Sequence, residues 1–330
     1  MEDILTTIVA HKREEVAAEK QIISPSEMEE RAVALSQLPA PRSMKRSLDC
    51  SSSGIIAEFK RRSPSKGWIH QDADASVIPS AYTQAGASAL SILTDRTFFG
   101  GSLQDLQTAR QHTNLPLLRK EFIIDPYQVD EAKVAGADAI LLIAACLSLE
   151  EASLLSQRAH DLGLEILLEV HAPEEIDYLS CKPDMLGVNN RNLGTFVTDV
   201  DNSFRMAELL SEAIARHISL PNSSPQTGDE QLLQKNLQLQ EKERLQENVL
   251  LQNNGQLQEK DLLQENVLLQ DNERLQDKAP LLVSESGISH PETIQQLRQA
   301  GFRGFLIGET FMKMPHPGET LGQFIGALNS

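Results

Sequence analysis

The chain is poor in cysteine, in aromatic residues and in positive charge. Among 330 residues there are 3 Cys and 1 Trp, and 30 Lys plus Arg stand against 47 Asp plus Glu, for a net charge of -17. Cys50, Cys146 and Cys181 lie far apart with no metal-ligand spacing, which predicts a reducing compartment and no structural metal. The acidic balance argues against nucleic acid or an anionic membrane as a main partner.

Long apolar runs are also absent. No stretch approaches the roughly 18 consecutive apolar residues that a membrane span needs. The first twenty residues lack the apolar segment and cleavage site of a signal peptide. We therefore expect a cytoplasmic protein without a membrane partner, built as one domain over residues 1–330.

Eight apolar segments of strand length alternate with helical segments from residue 55 onward. The alternation predicts an α/β fold of the (β/α)8 TIM-barrel type. No G-x-G-x-x-G follows the first segment, which weighs against a doubly wound dinucleotide-binding sheet. The predicted strands cover residues 55–60, 89–93, 117–121, 138–143, 165–170, 185–189, 281–285 and 304–308, and predicted helices include 126–135, 149–162 and 291–300.

Two segments lie outside this alternation. Residues 1–50 are expected to form an N-terminal helical extension, with a second helix that begins at Ser24 or Ser26. Residues 219–279, between predicted strands six and seven, hold a low-complexity repeat in which Leu-Gln recurs every six residues. Six residues turn a helix by about 600°, so these Leu residues form no single stripe. We expect a flexible or irregularly helical insert, with a β-solenoid as the alternative.

Polar residues end several predicted strands on one face. Side chains alternate along a strand, so the parity that directs the apolar Ile56 into the barrel directs these residues inward as well. Neighbouring acids and bases shift one another's pKa values, which predicts general acid–base catalysis. For each charged residue alone, a solvated salt bridge at the rim is the alternative. The inward-facing set is Glu58, Lys60, Lys120, Glu169, Asn189 and Glu285.

A second group follows the last two predicted strands and predicts a phosphate site. Barrels often bind phosphate there through backbone N–H groups. Arg191, with Lys60 or Ser63, would complete the site. Tight turns alone are the alternative for the glycines. The group consists of Ser286, Gly287, Gly308 and Glu309.

Three further features have more than one interpretation. The basic loop at residues 61–67 is either a lid or an ordinary surface loop, and Phe98 with Phe99 suggests an aromatic wall. His171 is interpreted as a surface or turn residue, since no histidine shows metal-ligand spacing.

The motifs place the chain beside a known family. IIAEFKRRSPSKG, LLRKEFIIDPYQV, LLEVH, GVNNRNL, VSESGI and FLIGE follow one another along the chain, which thereby resembles the indole-3-glycerol phosphate synthases of tryptophan biosynthesis outside the repeat. The resemblance implies a phosphate-binding barrel that converts 1-(2-carboxyphenylamino)-1-deoxyribulose 5-phosphate to indole-3-glycerol phosphate. The reaction releases CO2 and water and needs no cofactor or metal.

The resemblance also implies roles for individual residues. Lys120 resembles the general acid that protonates the substrate ketone, and Glu169 the group that handles the later proton loss and dehydration. Lys60 resembles the lysine that contacts the substrate carboxylate and assists ring closure or hydroxyl departure. Glu58 and Asn189 match orienting residues. Substrate or phosphate contacts are implied for Ser63, Arg191, Glu285, Ser286, Gly287, Gly308 and Glu309.

Two rival functions remain open at this point. A phosphoribosylanthranilate isomerase would use a Cys and Asp pair, whereas the first predicted strand here ends with Glu58 and Lys60. A scaffold that retains the barrel and binds partners through the repeat is the alternative outside catalysis.

Overall fold

Eight parallel strands close into a barrel, which confirms the predicted fold class. The computed structural model describes residues 4–37, 42–192, 194, 197–219 and 279–329. Each strand pairs with its neighbours in chain order, and β1 pairs with both β2 and β8. The strands are β1 (Ile55–Phe59), β2 (Ala89–Leu93), β3 (Leu117–Lys120), β4 (Ala139–Ile143), β5 (Glu165–Val170), β6 (Met185–Asn189), β7 (Leu281–Glu285) and β8 (Gly304–Ile307). These bounds agree with the predicted ones to within one residue.

The strands are apolar on both faces because both faces are covered. One set of side chains fills the barrel interior, and the alternate set packs under the surrounding helices. The interior set includes Ile56, Leu118, Leu167, Val283 and Leu306. This parity is the predicted one, so the polar residues two positions further along these strands face inward too.

Helices cover the outside of the barrel and precede it. Ser24 caps α2 as predicted, since its side chain accepts a hydrogen bond from the Glu27 N–H. The predicted helices 149–162 and 291–300 each end one residue earlier than expected. The helices are α1 (Ile4–Ile22), α2 (Pro25–Ser36), α3 (Met44–Asp49), α4 (Ile78–Gln84), α5 (Leu103–His112), α6 (Pro126–Ala135), α7 (Leu149–Asp161), α8 (Asp201–Ser219), α9 (Pro291–Gln299), α10 (Glu309–Met312) and α11 (Pro317–Leu328).

Helix α3 closes the end of the barrel at which the strands begin. Met44 and Leu48 are fully buried and pack among the interior side chains. Glu165, the first residue of β5, accepts hydrogen bonds from the Ser43 hydroxyl and from the Met44 and Lys45 N–H groups. A carboxylate at the first turn of a helix is stabilised by the N–H groups that have no partner within the helix. The interior therefore opens at its other end.

The basic loop after β1 forms a short hairpin between Arg62–Ser63 and Gly67–Trp68. Its Arg62 N–H donates to the Phe99 carbonyl in the loop after β2. Trp68 is 52% exposed, and a Cβ on Gly100 would lie 2.9 Å from its ring. The loop after β1 and the loop after β2 thus pack against one another.

The repeat predicted at 219–279 lies outside the described residues apart from its two ends. The chain divides into one unit of Met1–Ile214 with Pro280–Ser330, and another of Ala215–Ala279. The predicted conformation of the repeat therefore stays a prediction. In the described part of the chain, no helix is long and apolar enough to cross a membrane.

Candidate active site

Lys120 forms the centre of a charged cluster inside the open end of the barrel. Its Nζ lies 2.9 Å from Glu169 Oε2 and 2.6 Å from Glu285 Oε2. Its neighbour Arg119 points outward instead and pairs with Glu131 of α6. Strand alternation thus brings Lys120 together with acids from β5 and β7, which lie 49 and 165 residues further along the chain.

The other predicted catalytic residues surround this cluster. Asn189 Nδ2 donates to Glu169 Oε1 at 3.0 Å, which leaves the two Glu169 oxygens with different partners. Lys60 Nζ lies 2.5 Å from Glu58 Oε1 on the β1 side. All six predicted inward-facing side chains line one cavity: Glu58, Lys60, Lys120, Glu169, Asn189 and Glu285. The sequence prediction that they share a face is confirmed by this geometry.

Two glycines leave space for the carboxylates of Glu285 and Glu58. A Cβ on Gly187 in β6 would collide with Glu285 Oε1, and a Cβ on Gly308 would collide with the Glu58 carboxylate. Gly308 was expected on the phosphate side, and its close approach to Glu58 gives it a second reason to be glycine.

The three central groups hold their protons differently. Burial lowers the pKa of Lys120, but the charges of Glu169, Glu285 and Glu58 outweigh it, so the pKa lies above its ordinary value. Burial raises the pKa of Glu169, yet Lys120, His171 and the Asn189 hydrogen bond bring it well below the ordinary range. Burial, reinforced by the Glu169 charge, outweighs the opposing charge of Lys120 and raises the pKa of Glu285 to about 8. At neutral pH the cluster therefore holds a charged lysine, an ionised Glu169 and a protonated Glu285.

His171 lies in the connection after β5, as interpreted, but its side chain is not on the surface. It follows β5, its side chain is 16% exposed, and its Nε2 lies 3.4 Å from Glu169 Oε1. On the other side its Nδ1 lies 3.8 Å from Glu175. The sequence does not predict this contact with Glu169. His171 lies one residue beyond the end of β5, where strand alternation no longer determines the direction of a side chain.

The cavity occupies about 630 Å3, a size suited to a small organic molecule. The last or next-to-last residue of every strand contributes to its lining. These residues are Glu58, Leu93, Lys120, Ile143, Glu169, Asn189, Glu285 and Ile307.

One part of the lining is apolar. Phe99, the predicted aromatic wall, lies there with its ring 6.0 Å from that of Phe122. Helix α1 adds Ile4, Leu5 and Ile8, so the N-terminal extension covers part of the opening. An aromatic ring is the kind of group that such a wall accommodates. The sequence signal for the α1 contribution was its apolar face, but that face does not reveal which surface it meets.

Another part of the lining is polar and follows β6, β7 and β8. It holds Arg191, Ser286, Gly287, Gly308 and Glu309, all of which were predicted to bind phosphate or substrate. Arg191 donates to Ser65 Oγ at 3.2 Å and lies 3.4 Å from Glu309.

Several residues of this polar region differ from expectation. Ser63 is buried and does not line the cavity, and its hydroxyl has no partner within the described residues. The neighbouring Ser65 and Lys66 line the cavity instead, as does Lys313 after α10. Hairpin formation turns Ser63 inward, and this was not visible in the loop composition.

Comparison with known proteins decides the family. The family model described as indole-3-glycerol phosphate synthase matches residues 5–223 and 238–324. The chain belongs to the indole-3-glycerol phosphate synthase family. An indole-3-glycerol phosphate synthase of Bacteroides thetaiotaomicron is 48% identical over 99% of this chain and 100% of its own length. Those of Dechloromonas aromatica and Acinetobacter baylyi are 36% and 34% identical, over 98% of this chain and 99% and 96% of their own lengths.

Membership of the synthase family gives the chain its activity. It is a carboxy-lyase of tryptophan biosynthesis that acts on a phosphorylated small molecule. The reaction is the ring closure, decarboxylation and dehydration that yield indole-3-glycerol phosphate. The family match supports the synthase over the two rival functions, a phosphoribosylanthranilate isomerase and a binding scaffold.

Proposed function

We propose that Lys120 is the general acid of indole-3-glycerol phosphate synthesis in this chain. Ring closure begins when an aromatic carbon attacks the substrate ketone, and negative charge then develops on the ketone oxygen. A charged ammonium group that already points into the cavity stabilises this oxygen and delivers a proton to it. The raised pKa of Lys120 keeps the group charged before substrate binds.

Glu169 is proposed as the base of the later steps. Loss of CO2 restores the aromatic ring, and departure of the hydroxyl then requires removal of a proton to form the indole double bond. The lowered pKa of Glu169 supports this role because it keeps the carboxylate ionised, which is the form that accepts a proton. Asn189, which donates to its other oxygen, is proposed to hold its orientation.

Lys60 and Glu58 are proposed to act on the substrate carboxylate and hydroxyl. The Lys60 ammonium group, 2.5 Å from Glu58, lines the cavity and supplies positive charge for the carboxylate that becomes CO2. Glu58 is proposed to orient Lys60. Glu285, whose raised pKa leaves it protonated near neutral pH, is proposed to donate a hydrogen bond to a substrate oxygen.

The substrate phosphate is proposed to bind at the polar region after β6, β7 and β8. Arg191 offers the guanidinium charge, while Ser286 and Gly287 offer a hydroxyl and a backbone N–H group. Gly308 and Glu309 are proposed to border this site. Ser63 is proposed only as a residue that supports the hairpin carrying Ser65, since it is buried away from the cavity.

The observation that carries these assignments is the shared contact of Lys120 with Glu169 and Glu285. The test is a fluorescence assay of indole-3-glycerol phosphate formation from the purified protein without added metal or nucleotide. We expect kcat to fall at least about a thousandfold in Lys120→Ala, and a comparable loss in Glu169→Gln. An Ala variant with kcat within tenfold of the parent would overturn the assignment to Lys120.

Localisation and domain organisation are proposed as well. We infer a cytoplasmic enzyme, supported by three free cysteines and by its place in amino-acid biosynthesis. We also infer that residues 1–330 work as one barrel domain, with 1–50 as its extension and 219–279 as an addition that leaves the chemistry intact.

A further inference from the structure

Asn190 lies behind the proposed phosphate region and uses every hydrogen-bonding position of its side-chain amide. Its Oδ1 accepts from the Ser203 N–H at 3.0 Å and from the Ser203 hydroxyl at 2.9 Å. Its Nδ2 donates to Ser284 Oγ and to the Ser286 carbonyl, each at 3.1 Å. A backbone N–H only donates and a carbonyl only accepts, so these partners fix which end of the amide faces which way.

The network is closed to water. Asn190 is 3% exposed, and Ser203 and Ser284 are fully buried. The two serine hydroxyls also lie 2.7 Å apart and share a hydrogen bond. A buried amide with all four positions satisfied has one stable orientation. Asn190 is thus a rigid part of the wall between β6, β7 and α8.

Ser286, the residue that Asn190 contacts, has an unusual backbone conformation. Its φ is +68°, in the left-handed region that non-glycine residues rarely adopt. Gly287 follows with φ +81°. A serine stays in this region only where surrounding contacts hold it there. The hydrogen bond from Asn190 to the Ser286 carbonyl is one such contact.

The same hydrogen bond sets the direction of the Gly287 N–H. No peptide in the described residues is cis, so the Ser286 carbonyl and the Gly287 N–H point in opposite directions from their shared peptide plane. The carbonyl points at Asn190, outside the barrel interior. The N–H therefore points away from Asn190, and Gly287 lines the cavity.

We propose that Asn190 is a positioning residue that aims the Gly287 N–H at the substrate phosphate. The proposal rests on the phosphate region inferred above and concerns a residue that supports this region without contacting the phosphate. Asn190 itself does not line the cavity, in contrast to its neighbour Asn189. Its effect would pass through the Ser286–Gly287 peptide, so it concerns phosphate binding and not the proton transfers at Lys120 and Glu169.

The test compares phosphate binding with turnover in Asn190→Asp and Asn190→Ala. Asn190→Asp keeps the shape of the side chain but loses both donors, and Asn190→Ala avoids a buried charge. We expect KM, and the inhibition constant of inorganic phosphate as a competitor, to rise about tenfold, as for one lost hydrogen bond to a charged group. We expect kcat to stay within about threefold, because the acid and base are untouched.

Rescue by Ser286→Gly separates positioning from general destabilisation. Glycine adopts positive φ without strain, so it needs less restraint from Asn190. In the Ser286→Gly background, Asn190→Ala is therefore expected to raise the phosphate inhibition constant by at most about threefold. An equal increase in both backgrounds would overturn the proposal.

Two controls distinguish this proposal from the phosphate site on which it depends. Ser156→Ala removes a buried hydroxyl on α7, away from the cavity, and is expected to leave both constants unchanged. Arg191→Ala is expected to weaken phosphate inhibition whether or not Asn190 matters. If Arg191→Ala weakens it and the Asn190 variants only lower the melting temperature, Asn190 has a structural role alone and the proposal fails. If Arg191→Ala leaves phosphate inhibition unchanged, the phosphate site is misassigned and the proposal falls with it.

Discussion

Lys12 of α1 reaches Glu121, the residue directly after Lys120, with its Nζ 3.0 Å from Glu121 Oε1. The same ammonium group lies 3.2 Å from Asp95, which follows β2, and 2.6 Å from Glu15. Lys12 is 2% exposed. The surrounding carboxylates outweigh the effect of burial and hold its pKa above the ordinary value. One buried cation therefore joins the N-terminal extension to the loops after two barrel strands.

Removal of this cation should destabilise the fold. Lys12→Met leaves two buried carboxylates without their cation, so we expect the free energy of unfolding to fall by about 3–5 kcal/mol. Urea unfolding followed by circular dichroism measures this change. Lys20→Met, on the same helix, is the control, because its pair with Asp125 is about 30% exposed and should contribute less than about 1 kcal/mol. Equal losses in the two variants would contradict the role of Lys12.

The sign of the Lys12 effect with pH follows from its raised pKa. A cation with a raised folded-state pKa contributes stability that is fully present below its unfolded-state value of 10.5 and is lost only as pH rises through the folded-state value. The stability difference between parent and Lys12→Met should therefore not decrease between about pH 6 and pH 9, because Lys12 stays charged throughout.

Glu285 should produce an alkaline limb in the rate profile. Its pKa is raised from 4.5 to about 8. Ionisation above that pH adds a second negative charge beside Lys120, which then holds its proton more tightly and becomes a weaker acid. We expect kcat/KM to fall as pH rises through about 8, and the limb to be missing in Glu285→Gln. A limb at the same pH in both proteins would assign it to another group.

Gly187→Ala should impair turnover without unfolding the barrel. Its Cβ would collide with Glu285 Oε1 and lie 3.2 Å from Leu167 Cδ1, so Glu285 must move away from Lys120. A displacement of about 1 Å in an active site costs about a hundredfold in kcat/KM. Gly326→Ala in α11 is the matched control, because nothing lies within 4 Å of its added Cβ. That variant should keep full activity and gain about 0.5–1 kcal/mol of stability.

The Gln/Leu repeat should be dispensable for the reaction. Residues 221–278 precede β7, which begins at the barrel end opposite the cavity. Their replacement by a short Gly/Ser linker should keep kcat/KM within about threefold, since loop length adds little to the entropy of closure. Steady-state assays of the shortened protein measure this. A hundredfold loss would show that the repeat acts on the barrel.

The strands and the inward-facing residues were predictable because both depend on local periodicity. An apolar strand buried on both faces has a characteristic length, and its alternation fixes which of Lys120 and Arg119 faces inward. Glycine and proline mark the turns between elements. Each of these signals is contained within about ten residues of sequence.

The remaining parts of the site depend on contacts between distant segments. His171 and Lys12 sit at a strand end and in a helix, and neither position shows from local pattern that it meets Glu169 or Glu121. Ser63 turns away from the cavity only because a hairpin forms after β1. The sequence predicts a role for Asn189 and none for Asn190, because the partners of Asn190 on β7 and α8 are known only from the fold.

Helix α3 determines how substrate and products enter and leave the barrel. Because Met44 and Leu48 fill the end at which the strands begin, the interior is a cavity closed at that end and not a channel. Substrate arrives, and CO2, water and indole-3-glycerol phosphate depart, through the single rim that Ile4, Leu5 and Ile8 partly roof. Each catalytic cycle therefore loads and empties the cavity through one opening, and the first turns of α1 form part of its border.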